Sequence, residues 1–102
     1  MRKVEIDAIS IDAEGKLFIR PVDSEGTGFP YIYRSASGVH WDDSARSLYC
    51  PVPIEWSYSD WYKHAVAAVS GECGCLLAIT SDTKWQDVSE DVKNSLLACS
   101  NG

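Results

Sequence analysis

A chain of 102 residues with 45% hydrophobic content has the material for one folded domain and its core, and not for two. Its 15 acidic and 9 basic residues give a net charge of −6. That balance argues against nucleic acid or an anionic membrane surface as the main partner, because both need a cationic footprint, and it suits solubility or a partner with a basic surface.

The start, Met1-Arg2-Lys3-Val4-Glu5-Ile6-Asp7, has two basic residues but no apolar run behind them, so it does not read as a signal peptide. No window approaches the roughly 20 apolar residues of a membrane span, and a cytoplasmic protein is the expectation. Val4, Ile6 and Ala8 alternate with charged residues, then Ile9 and Ile11 take the opposite parity. A period-2 pattern that changes phase predicts a strand with a bulge near Ala8 and Ile9. Ala13-Glu14-Gly15 is the turn, and residues 16–22 form the hairpin partner, limited by Pro21. Residues 23–28 read as a loop, and residues 29–34 as a strand through Tyr31, Ile32 and Tyr33. Val39-His40-Trp41 and Leu48-Tyr49-Cys50 flank a polar tip and predict a second hairpin, stopped by Pro51 and Pro53.

Ser57 or Ser59 is placed to cap a helix that runs to about Ser70, with Gly71 as its stop. Trp61, Ala65, Ala68 and Val69 form its apolar face, widened by Tyr62 and Val66. Residues 76–80 predict a short strand buried on both sides. Asp87 to Glu90 has the form of a capping box that opens a last helix with Val92, Leu96 and Cys99 inward. Strands, helix, strand, helix predict a single α+β domain spanning residues 1–102. The expected architecture is an antiparallel sheet of five to six short strands with one or two helices on one face.

No catalytic signature stands out, and no cofactor is expected. Cys73-Gly74-Cys75 lacks the wider spacing common to structural zinc sites and the Cys-x-x-Cys spacing of redox pairs. Buried thiols are the better reading of Cys50, Cys73, Cys75 and Cys99, with no metal. His40 and Asp42 share a strand face by parity, and a carboxylate beside an imidazole can tune a general base. No nucleophile is placed beside them by a recognisable motif, so no catalytic residue is assigned. Gly26-Thr27-Gly28 has neither the lysine nor the following helix of a phosphate loop.

Nine of the eleven aromatics fall in one third of the chain: Phe29, Tyr31, Tyr33, Trp41, Tyr49, Trp56, Tyr58, Trp61 and Tyr62. A small core accommodates a few such rings, and rings in excess of it supply interface anchors together with Arg34. The sequence leaves open whether the band is core or surface. The candidate binding residues are Tyr31, Tyr33, Arg34, His40, Trp56 and Trp61.

The segments Phe29-Pro30-Tyr31-Ile32-Tyr33-Arg34, Gly38-Val39-His40-Trp41-Asp42 and Leu48-Tyr49-Cys50-Pro51 resemble small proteins encoded by integron gene cassettes. Trp56-Ser57, Trp61-Tyr62 and the Ala-rich helix after them look similar too. The resemblance runs from about Ala13 to the last helix. It implies a small cytoplasmic α+β domain of unknown function that tends to self-associate, and it supplies no catalytic residues.

The leading expectation is a non-enzymatic interaction module that forms a homo-oligomer through the aromatic band, or engages another protein. A sharper form of it is an acidic, immunity-like or antitoxin-like inhibitor of a basic toxin. The rival is a small-molecule-binding protein or enzyme whose aromatic-walled pocket opens at His40 and Asp42.

Overall fold

The computed structural model describes residues 2–23, 28–35, 38–52 and 56–101, the side chains of Tyr33, Ser35, Ser100 and Asn101 excepted. The first strand, β1 (Arg2–Ile11), is the spine of the sheet. Val4 and Ile6 point inward, then Ala8 and Ile9 are both buried in succession. The cause is a bulge: one residue of β1 lies between Ile6 and Ala8, while their partners Pro21 and Arg20 on β2 (Leu17–Pro21) are adjacent. The extra residue, Asp7, meets the Arg20 guanidinium, with Nη2 at 2.7 Å and Nε at 2.8 Å. The turn between the strands closes on Asp12, whose Oδ1 accepts from the amides of Glu14 (3.0 Å) and Lys16 (2.8 Å).

Residues 29–34 do not form the expected strand. Phe29–Ser35 is a 3₁₀ helix, in which Phe29 and Ile32, three apart, lie on one side and are both fully buried. Three residues per turn aligned the two apolar positions better than an extended chain would. β3 (His40–Asp42) and β4 (Ser47–Cys50) form the second hairpin, and β4 joins β2.

Helix α1 (Tyr58–Cys73) starts on a capping box: Ser57 Oγ accepts from the Asp60 amide, and the Asp60 carboxylate accepts from the Ser57 amide, each at 3.2 Å. The helix passes through Gly71 and stops at Gly74, whose left-handed backbone (φ 66°) suits its C-cap. β5 (Cys75–Ala78) and β6 (Lys84–Gln86) follow, and α2 (Glu90–Asn101) ends the chain of elements. Ser89, rather than Asp87, takes the cap of α2: its Oγ accepts from the Val92 amide at 3.3 Å. Asp87 instead adopts a positive φ of 55° in the turn before it.

The α+β class holds, and the described residues form six strands, within the expected five to six, but the sheet is mixed rather than antiparallel. Its order is β3-β4-β2-β1-β5, with β6 also on β1. β5 and β6 both run parallel to β1, one after the other along the edge that β2 leaves open. A connection as long as α1 carries the chain back across the sheet, which a tight hairpin cannot do. The gap between the two strands falls opposite the bulge, and Thr83 bridges it: its buried hydroxyl donates to the Ile6 carbonyl (2.6 Å) and accepts from the Thr80 amide (3.0 Å).

One apolar cluster joins the sheet to the helices, with Ile9, Leu17, Ile19 and Leu48 meeting Tyr62, Ala65, Val69 and Leu96. β5 is buried on one side only: Cys75 and Leu77 are inward, while Leu76 is exposed. As an edge strand it has one face on the helices and the other in water.

Candidate functional site

The aromatic band divides between core and surface. Phe29 and Tyr62 are buried, Trp41 and Tyr58 are packed against the core, and Tyr31 and Trp56 stand exposed at 53% and 44%. What decides the split is the secondary structure around each ring.

At the start of α1, three rings form one cluster. Trp56 and Trp61 lie with centroids 4.8 Å apart, and His64 meets them edge-on at 5.0 Å and 5.6 Å. With Ser57 as the cap, Trp56 is the residue before it and Trp61 the fourth residue of the helix, the two positions that close a hydrophobic staple. His64 follows Trp61 by three and shares its helix face. The sequence marks both tryptophans as binding candidates and places His64 on the same helix three residues after Trp61, where it reads as an exposed or half-packed histidine rather than a member of the site. The chain entering β3 runs against the same cluster: a Cβ on Gly38 would lie 3.1 Å from Cη2 of Trp61, and Gly38 has φ +86°.

The 3₁₀ helix packs against both α1 and β3. On its exposed side the Arg34 guanidinium lies over the Tyr31 ring, 4.7 Å from the centroid. Tyr31 and Tyr33 were expected to share a strand face, and a 3₁₀ helix does not place residues two apart together. The Tyr33 side chain lies outside the described residues. Around Trp56 and His64 a shallow groove also takes in Asp60 and Lys63, so this surface carries rings and both signs of charge.

His40 belongs to a different face. Phe18, Tyr49 and His40 sit side by side across β2, β4 and β3, with centroids 5.5 Å and 5.3 Å apart, on the side opposite the buried Leu17, Ile19 and Leu48. Asp42 is occupied by its turn, its Oδ1 accepting from the amides of Ser44 (2.9 Å) and Ala45 (3.1 Å). Among the described residues no hydrogen bond joins His40 to Asp42.

All four cysteines are free thiols. Cys50 is buried against α1, its Sγ 4.0 Å from the Trp61 carbonyl, and burial pushes its pKa up to about 12. Burial also raises Cys73, with Cys75 and Glu72 adding to it. Cys75 Sγ turns back to the Cys73 carbonyl (3.5 Å). Among the described residues no group of three or more His, Cys, Asp or Glu is placed to hold a metal ion, and no helix is long and apolar enough to cross a membrane.

The chain matches the model of the family described as Integron Cassette Protein Hfx_Cass5 over residues 4–83, and it belongs to that family. A solved structure of integron cassette protein Hfx_Cass5, from the mobile metagenome of the North West Arm sewage outfall, is 37% identical. That match covers 100% of this chain and 99% of the other, with a TM-score of 0.49. None of the curated proteins compared with the chain matches it.

Proposed function

We propose that this integron cassette protein is a non-enzymatic interaction module that self-associates through the surface built by Trp56, Trp61, Tyr31 and Arg34. The observation that carries this reading is Trp56: a tryptophan that closes a helix staple still leaves 44% of its surface in water. Tyrosine, tryptophan and arginine are the residue types that dominate binding energy at interface centres. The surface also suits a copy of itself, because it holds both partners of a cation–π pair and both Asp60 and Lys63. Tyr33 belongs to the same segment as Tyr31 and Arg34. His40, on the opposite sheet face, is a separate candidate contact.

Sedimentation velocity over a micromolar concentration series tests the proposal. The expected result is a reversible dimer or higher oligomer that Trp56→Ala weakens at least about tenfold, a loss usual for an interface anchor. Because Trp56 also steadies the helix start, Tyr31→Ala/Arg34→Ala provides a second variant that leaves the staple intact. A monomer at all concentrations, or association unchanged in both folded variants, would overturn it.

A further inference from the structure

A second surface lies along the open edge of β5, and it has a different chemistry. A groove of about 650 Å³ runs between this strand and α1. The helix supplies Lys63, Val66 and Ala67, a stripe at three- and four-residue steps. Leu76, Leu77 and Ile79 supply the other wall. The groove wraps the strand edge, because neighbouring Leu76 and Leu77 point to opposite sides and both reach it.

The charges are one-sided. Among the described residues, Lys63 and Lys3, which pairs with Leu76 across the sheet, are the only charged side chains in the lining. This is so in a chain with 15 acidic and 9 basic residues. Among the described residues neither lysine forms an ion pair with a carboxylate. Asp60, three residues before Lys63, has its carboxylate on the Ser57 amide. Backbone groups add donors, since no described strand pairs with the far edge of β5.

We infer that this groove binds a small amphipathic carboxylate, with its acyl or aryl body on the apolar walls and its acid group drawn to the lysines of the lining, Lys3 and Lys63. The volume lies within the range of small-ligand sites, and apolar walls with a few placed polar groups are their usual make-up. An apolar body alone would leave both ammonium groups idle, and a cation would meet them directly. An anion on an apolar body matches both halves of the lining. This inference is independent of self-association at Trp56.

The test is a titration of the full chain, labelled with nitrogen-15, with decanoate below its micelle concentration, and with decanol as the neutral comparator. The expected shifts fall at Val66, Ala67, Leu76, Leu77 and Ile79, with weaker binding of decanol and loss of affinity as salt rises. Lys3→Gln/Lys63→Gln is expected to weaken decanoate binding by roughly tenfold, and the exposed positions of both lysines leave the fold intact. Lys63 also borders the Trp56 surface, so Lys3→Gln alone is the discriminating variant: it should weaken decanoate binding and leave self-association unchanged. No shifts in the groove, equal binding of decanol, or undiminished binding in the double variant would overturn the inference.

Discussion

Cys50 illustrates what a single buried position contributes. Its thiol faces the Trp61 carbonyl from the end of β4, and burial holds the proton on well above the unfolded pKa of 9.0, to about 12. Between those values the folded chain keeps a proton that the unfolded chain releases, so stability falls as pH rises. The contribution is complete below pH 9 and is lost towards pH 12, at a rate on the order of 1 kcal/mol per pH unit. Urea midpoints at about pH 8 and about pH 10 should therefore separate for the natural chain, and Cys50→Ala should narrow the gap. An equal gap in the variant would assign the pH dependence to other groups. The candidate site was partly legible at this same scale. Trp56 and Trp61 could be picked out by type and spacing. The state of Tyr31 could not, because it depends on whether residues 29–35 are extended or wound into a 3₁₀ helix. His40 and Asp42 share a face as parity requires, yet the turn amides compete for the carboxylate and win.

Between elements, Thr83 has a structural task out of proportion to its size. It joins the bulge of β1 to the gap between β5 and β6 by one hydroxyl that both donates and accepts. Thr83→Val keeps the shape and removes the hydroxyl, leaving the Ile6 carbonyl and the Thr80 amide short of a partner. The expected cost is about 1–3 kcal/mol in urea unfolding, while Thr83→Ser should lose under about 1 kcal/mol. Equal losses would show that the methyl group, not the hydroxyl, matters. The hairpins, the bulge, both helices and the α+β class could be read from local pattern, because turn chemistry and apolar period are local signals. The parallel placement of β5 and β6 could not. It depends on the crossover through α1, and Lys84-Trp85-Gln86 carries no strand pattern of its own until β1 supplies the partner. Gly71 was a plausible stop for α1, but an exposed glycine is tolerated inside a helix, and Gly74 offers the left-handed cap.

At the scale of the molecule, the last elements are structural partners rather than appendages. The family match covers residues 4–83, yet β6 pairs with β1 and Leu96 of α2 is fully buried in the common core. A chain ended after Thr83 would bare the second half of β1 and empty the space Leu96 fills. It is expected to lose cooperative unfolding, seen as a broad urea transition with a reduced slope; a sharp two-state transition would show that residues 4–83 fold alone. The same topology has a consequence for biosynthesis. β1 is flanked on one side by strands that leave the ribosome about 70 residues later in the order of translation. At roughly 5–20 residues per second that interval is several seconds. During it the growing chain can close the β1–β2 hairpin but holds an unfinished, apolar edge. Slowing translation across residues 60–80 would lengthen that exposed interval and is expected to lower the yield of folded protein, which a comparison of soluble protein from fast and slow codon choices over those residues would check.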